Sequence, residues 1–247
     1  MNRNPEKVLI VAPRIWKSDK NYNYSIEELS LLIDTLGLKV CGVIEQKLNR
    51  INPAYFVGSG KAKQIVEQAK LLKADNVPNA FCLPNGRIAI YTGILPLTKN
   101  IDGLAAVMGH EVAHATQRHG GKRMTSSQLN GVAMAVIDAS LDNAEVDNET
   151  RAHLMGAIGL VGQYAVTLPY SRGHETEADI WGIRYAIRAG FDPNEAPKLW
   201  ERMAALGSSG PEWMSTHPDP LERAKKLREL IPRILQEETK RNSKSGN

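Results

Sequence analysis

The 247-residue chain has room for one large domain or two small ones, since single hydrophobic cores stop growing near about 250 residues. Apolar residues make up 42% and charged residues 23%, a globular balance that excludes an intrinsically disordered chain. The net charge of +4 is small and its basic residues are dispersed, so nucleic-acid binding is not expected, and two cysteines, Cys41 and Cys82, indicate neither a disulfide framework nor a cysteine zinc site.

The N-terminal stretch holds a short apolar run, Val8 to Ala12, that ends at Pro13 and is too short for a signal-peptide core or a membrane span. The apolar stretch from Leu154 to Leu168 is broken by Gly156, Gly159, Gly162 and Gln163, so the expectation is a cytoplasmic chain without a transmembrane segment. Residues 7–12 read as a strand. Ser25-Ile26-Glu27-Glu28 reads as a capping box that opens a helix with Leu29, Leu32, Ile33 and Leu36 on one face and Gly37 as its stop. Lys39 to Ile44 reads as a second strand, Ala54 to Val57 as an extended piece, and Lys61 to Ala74 as a helix. These segments form a small α/β unit that lacks the further strand such a sheet normally has, and a bare sheet edge is expected.

The pattern changes at Asn76-Val77-Pro78. Phe81 to Leu83 and Arg87 to Tyr91 flank Pro84-Asn85-Gly86, a hairpin signal in which Asn-Gly supplies positive φ angles. From Gly103 onward the chain reads as helix, over about 103–119, 126–141, 149–166, 173–189, 194–206 and 219–240. In the fifth of these, Asp192 is expected to cap, Pro193 to take the first helical position, and Leu199, Trp200 and Met203 to face inward. Basic residues over 222–241 alternate with Glu222, Glu229, Glu237 and Glu238 and read as a solvated helix face.

His110-Glu111-Val112-Ala113-His114 carries the chemistry. Its spacing places both histidines on one helical face, where two neutral imidazoles can hold one Zn²⁺ and Glu111 can take a proton from the attacking water. A third ligand is required, and Glu175 stands where a second helix begins. Asp179 follows one turn later, able to accept the second ring N–H of a ligand histidine. His217, in Thr216-His217-Pro218, is either an oxyanion donor or extra ligand, or part of a turn into the last helix. Arg172 either pairs with a carboxylate near the site or braces a loop. His119, His153 and His174 are read as ordinary structural histidines. Asn79-Ala80-Phe81 is a candidate edge strand for an extended peptide, with Phe81 equally suited to the core.

Five blocks extend this signal: NAFCLPNGRIAIYTGIL (79–95), GHEVAHATQRHG (109–120), YSRGHETEADIWG (170–182), AGFDPNEAPKLW (189–200) and STHPDP (215–220). Over residues 77–240 the chain resembles the HtpX and CAAX prenyl protease (Ste24-like) family of zinc metallopeptidases, which are gluzincins. That resemblance implies His110, His114 and Glu175 as metal ligands, Glu111 as catalytic base, Asp179 as the partner of a ligand, and one Zn²⁺ per chain. It also implies misfolded or membrane-associated protein substrates and a quality-control role, in a family whose members often work at a membrane or in the periplasm.

Residues 7–76 are similar to the N-terminal domain of HflX-type GTPases, in SIEELSLLIDTLGLKVCG (25–42), YFVGSGKAKQI (55–65) and LKADNV (72–77). The GTP-binding domain of that family is missing. Gly58-Ser59-Gly60-Lys61 is no phosphate loop, because Tyr55 stands where its first glycine belongs and Ala62 follows the lysine, so GTP binding is not expected.

The sequence therefore predicts an α+β chain: a small, incomplete α/β domain (1–76), a mainly helical minimal gluzincin metallopeptidase domain with a small β-hairpin or sheet (77–240), and a polar tail (241–247). The expected function is a zinc-dependent metalloendopeptidase that hydrolyses internal peptide bonds of protein or peptide substrates. The alternative is a catalytically impaired fusion that binds a partner, such as the ribosome, through residues 1–76.

Overall fold

Residues 5–15, 22–48, 59–71, 77–83, 86–122, 125, 150, 172–206, 217 and 219–245 are described by the structure, a computed structural model. The helix expected over 126–141, all but residue 150 of that expected over 149–166, the extended piece 54–57, His153 and the hairpin tip Pro84-Asn85 lie outside these residues.

Val8 to Ala12 form the middle of strand β1 (Lys7–Ile15), and all of them are fully buried. An unbroken apolar run is what a strand covered on both faces requires. Helix α1 (Tyr22–Thr35) connects β1 to β2 (Lys39–Leu48), which pairs parallel to it. Helix α2 (Ser59–Leu71) follows, then β3 (Ala80–Cys82) and β4 (Ile88–Tyr91). β4 is antiparallel both to β3 and to β1, with Val8 opposite Tyr91 and Val11 opposite Ile88.

The sheet order is β2-β1-β4-β3. β1 has a partner on each side, because β4 is as apolar and as buried as β1 itself, and β2 and β3 are the outer strands of this open sheet. The sheet thus contains residues from both sides of position 76.

Alternation along the strands separates two cores. Val8, Ile10, Ala12, Ala89 and Tyr91 pack with Tyr22, Leu29 and Ile33 of α1. Leu9, Val11, Ile44, Ile88 and Ile90 face the other way, toward α2 and the helices that follow. Those are α3 (Leu95–Thr98), α4 (Ile101–Thr116), α5 (Arg172–Arg188), α6 (Glu195–Ala204) and α7 (Pro220–Ser245). The described chain is mainly helical with a small open sheet, as the sequence predicts, and among the described residues no helix is long and apolar enough to cross a membrane.

Several local expectations are corrected. α1 begins at Tyr22, so Ser25 lies inside the helix instead of capping it. The buried Tyr22 ring, with the guanidinium groups of Arg14 and Arg87 at 4.9 and 5.4 Å from its centroid, anchors the earlier start. Leu32 and Leu36 are exposed; only Leu29 and Ile33 of the expected apolar face reach the core. Gly37 does stop the helix, at φ +73°. In α6 the N-terminal flanking residue is Asn194, whose backbone N–H donates to Asp192 Oδ1 at 2.9 Å, so Asp192 orders the turn before the helix. Leu199, Trp200 and Met203 are buried as expected.

Candidate active site

Helix α4 starts with Asn100, whose side-chain oxygen accepts the backbone N–H of Gly103 at 2.8 Å and satisfies one orphan donor of the first turn. From there the helix runs nearly wholly buried to His114. One turn separates His110 from His114, and both side chains point the same way, with their Nε2 atoms 2.9 Å apart.

α5 crosses α4 where glycine faces glycine. A Cβ on Gly109 would lie 2.9 Å from the carbonyl oxygen of Gly182, and one on Gly182 would lie 2.9 Å from the amide nitrogen of His110. This backbone contact brings the first turn of α5 to the histidines. Glu175 Oε2 is 3.5 Å from His110 Nε2, and Glu175 Oε1 is 3.3 Å from His114 Nε2. A carboxylate in the first turn also faces the positive end of the helix dipole.

His217, just before α7, completes the cluster. Its Nδ1 lies 3.1 Å from Glu175 Oε2 and 3.2 Å from His110 Nε2, and its Nε2 lies 3.5 Å from Glu111 Oε1. One ligand atom from each of His110, His114, Glu175 and His217 falls within 4.8 Å of all the others, and all four residues are buried. Of the two readings open for His217 in the sequence, the geometry places the ring inside the cluster. Three imidazoles and a carboxylate, converging out of water, form the nitrogen and oxygen donor set that suits Zn²⁺.

Around the cluster sits a ring of polar partners. His110 Nδ1 lies 3.0 Å from Asp179 Oδ1, so the Nδ1–H donates to that carboxylate and leaves Nε2 to the cluster. Arg223 holds Asp179 from the far side in a two-pronged pair, its Nε and Nη2 donating at 2.8 and 2.6 Å, while its Nη1 lies 2.7 Å from Glu175 Oε2. The guanidinium also lies 3.5 Å from the ring centroid of Trp200. Reading the basic residues of 222–241 as a solvated face is therefore wrong for Arg223, which is only 5% exposed.

These contacts set the protonation of the cluster. Burial and the Arg223 charge oppose a proton on His110, but Asp179 and Glu175 outweigh them and raise its pKa to about 9. Burial holds His114 neutral, with its pKa lowered to about 2. Burial also opposes ionisation of Glu175, yet hydrogen bonds from His110, His114 and His217 hold its carboxyl well below the usual carboxylate range. Asp179 is lowered in the same way, burial being outweighed first by the Arg223 charge.

Glu111 is buried, one step along α4 from His110, and faces His217. Arg172 is largely exposed and pairs with Asp219 at 2.9 Å; both line a cavity of about 350 Å³ together with Glu175, Thr176 and Arg223. Ala80–Cys82 is indeed an outer strand of the sheet, and Phe81 packs partly buried against the α1 core.

Residues 44–231 match the model of Peptidase family M48. The chain belongs to this family. It is 40% identical to mitochondrial metalloendopeptidase OMA1 of Schizosaccharomyces pombe over 161 residues, covering 64% of this chain and 45% of that protein. Human mitochondrial metalloendopeptidase OMA1 is 33% identical over 163 residues, covering 64% of this chain and 31% of that protein. The beta-barrel assembly-enhancing protease of Yersinia pestis is 31% identical over 147 residues, covering 58% of this chain and 30% of that protein. The chain thus spans less than half the length of each of these M48 relatives. The family match begins at residue 44, inside the segment whose sequence was expected to be HflX-like; the relatives named here are peptidases and give that expectation no support.

Two residues that pack around the cluster escape the sequence reading. Arg223 stands among alternating charges, where nothing local marks it for burial. His119, read as structural, is fully buried with its Nδ1 2.9 Å from His114 Nδ1; its place just beyond the two spaced histidines was the available signal.

Proposed function

We propose that the chain is a zinc-dependent endopeptidase that hydrolyses internal peptide bonds of protein substrates. The observation that carries this reading is the buried convergence of His110, His114, Glu175 and His217 beside Glu111. His110, His114 and Glu175 are the proposed ligands of one zinc ion per chain, and the donor set fits that ion: neutral nitrogen from His114, nitrogen from an Asp179-oriented His110, and an ionised carboxylate. Zinc bound there supplies Lewis-acid polarisation of the scissile carbonyl and a water acidified toward neutral pH.

Glu111 is the proposed general base, taking the proton of the attacking water and delivering it to the leaving amine. His217, in reach of Glu111 and Glu175, is the proposed donor to the developing oxyanion. Asp179 and Arg223 keep the ring of His110 and the carboxylate of Glu175 aligned.

The proposed seat of the substrate is the outer edge of β3, where an extended peptide adds as a further strand. Its support is proximity: β3 packs against α4, and burial together with the Glu111 charge pushes the Cys82 thiol pKa up. A peptide on that edge would run past Glu111. Metalloendopeptidases and a protease among the relatives support protein substrates, and protein quality control is the proposed role. Residues 1–76 are proposed to serve this peptidase as part of its scaffold, supported by the pairing of β1 with β4 and the packing of α2 on α4.

The test is cleavage of casein by purified protein, with chelator added and zinc then restored. Cleavage that is lost to chelator and regained with zinc is expected; a zinc-loaded, folded protein that leaves casein and short peptide libraries intact would refute the reading.

A further inference from the structure

The two ligand histidines of α4 are oriented by different means. His110 meets a carboxylate directly, at Asp179. His114 meets another imidazole: its Nδ1 lies 2.9 Å from His119 Nδ1, and His119 Nε2 lies 3.0 Å from Glu177 Oε2. His119 is fully buried, whereas the Glu177 side chain is 39% exposed. The chain reverses just past the end of α4, with Arg118 at φ +56°, and this turn folds His119 back under His114. His174 stacks on the His119 ring, with centroids 4.4 Å apart and planes at 22°, which fixes the ring plane.

Hydrogen-bond chemistry gives this chain one direction. An ionised carboxylate only accepts, so His119 Nε2 carries a proton and donates it to Glu177. In the neutral imidazole Nδ1 is then an acceptor, and the short contact to His114 Nδ1 requires that His114 carry its proton there. The Nε2 of His114 is left with a lone pair aimed at the cluster with Glu175 and His110.

We propose that His119 and Glu177 are positioning residues that hold His114 in its Nδ1–H tautomer and present its Nε2 lone pair to the metal. This inference rests on the zinc reading of the site. Glu177 stands two residues past Glu175 on α5, on a different face of the helix, and meets His119 instead of His114. His119 bridges the two. One helix, α5, thereby supplies a ligand and the orienting carboxylates for both histidines of the other: Glu175 itself, Asp179 for His110, and Glu177 for His114.

The test uses the full chain with Glu177→Gln, whose amide presents donor or acceptor alike, and His119→Phe, which keeps a stacked ring without either nitrogen. Zinc affinity, read by competition with a chelator, is expected to fall about 10–100-fold in both. The ¹⁵N shifts of the His114 ring in zinc-free wild type are expected to report the Nδ1–H tautomer, and a mixture of tautomers in Glu177→Gln. A merely structural role would leave those shifts unmoved. If His119→Phe fails to fold, Glu177→Gln still decides, since it changes a half-exposed side chain. Wild type that binds zinc, with Glu177→Gln bound as tightly to within about twofold, would overturn this inference alone; wild type that binds no zinc would overturn the metal reading with it.

Discussion

Gly109 and Gly182 touch backbone to backbone where α4 crosses α5, so that a Cβ on Gly182 would lie 2.9 Å from the amide nitrogen of His110. At this crossing the helix that carries the two histidines meets the helix that carries Glu175 through backbone atoms. Gly182→Ala therefore has to push the helices apart, at a cost of about 1–3 kcal/mol for an overpacked contact. Because the shift separates Glu175 from His110, zinc affinity should fall along with the urea midpoint. Loss of stability with unchanged zinc affinity would show that the crossing does not set the ligand geometry.

Glu111 is buried and faces His217, but it is not one of the four residues whose donor atoms converge. Glu111→Gln keeps shape and hydrogen bonding while removing the basic oxygen, so zinc content should stay at the wild-type level. Turnover of casein should fall by at least about a hundredfold. Retained turnover would mean that the base is another group.

Arg223 compensates two buried carboxylates, Asp179 and Glu175. Removing it in Arg223→Met takes the guanidinium from both, which costs about 3–5 kcal/mol in a buried pair. The loss should be larger in zinc-free protein than in zinc-loaded protein, because the bound ion also compensates Glu175. Arg223→Lys should rescue little, since a single ammonium cannot reproduce the two-pronged hold on Asp179. Equal stability of wild type and Arg223→Met in zinc-free urea titrations would contradict this account.

Far from the site, α5 and α7 are joined by Glu238, which accepts from Arg188 at 2.7 Å and from Arg184 at 2.9 Å. These bonds, Arg188 first, hold its pKa at about 2, below the ordinary glutamate value. A depressed carboxylate stabilises the fold fully above its unfolded pKa and loses that contribution as pH falls toward the folded value. The stability gap between wild type and Glu238→Gln, in zinc-free protein, should be of the order of 3 kcal/mol near neutral pH and should close between about pH 5 and pH 2. A gap that is constant with pH would rule out the carboxylate as its source.

Local periodicity made the proposed ligands legible. His110 and His114 on one turn, and Glu175 and Asp179 on another, are patterns that a sequence displays without a fold. Arg223 and His119 depend on tertiary facts. One is buried only because Asp179 and Trp200 receive it, and the other reaches His114 only through the positive-φ reversal at Arg118. The strands and most helix positions followed from apolar runs and stops such as Gly37. The pairing of β1 with β4 across position 76 did not, because strand partners are chosen by burial of both faces and not by nearness in sequence. Ser25 carries a local capping signal, but the helix starts earlier, at the anchored Tyr22, and Ser25 lies within it.

The central claim is that His110, His114 and Glu175 hold a zinc ion, and elemental analysis of purified wild type beside Glu175→Ala tests it most directly. The account predicts close to one zinc per chain in wild type and a sharp fall in the variant. A folded wild type without zinc, or a Glu175→Ala protein that keeps its zinc, would contradict it.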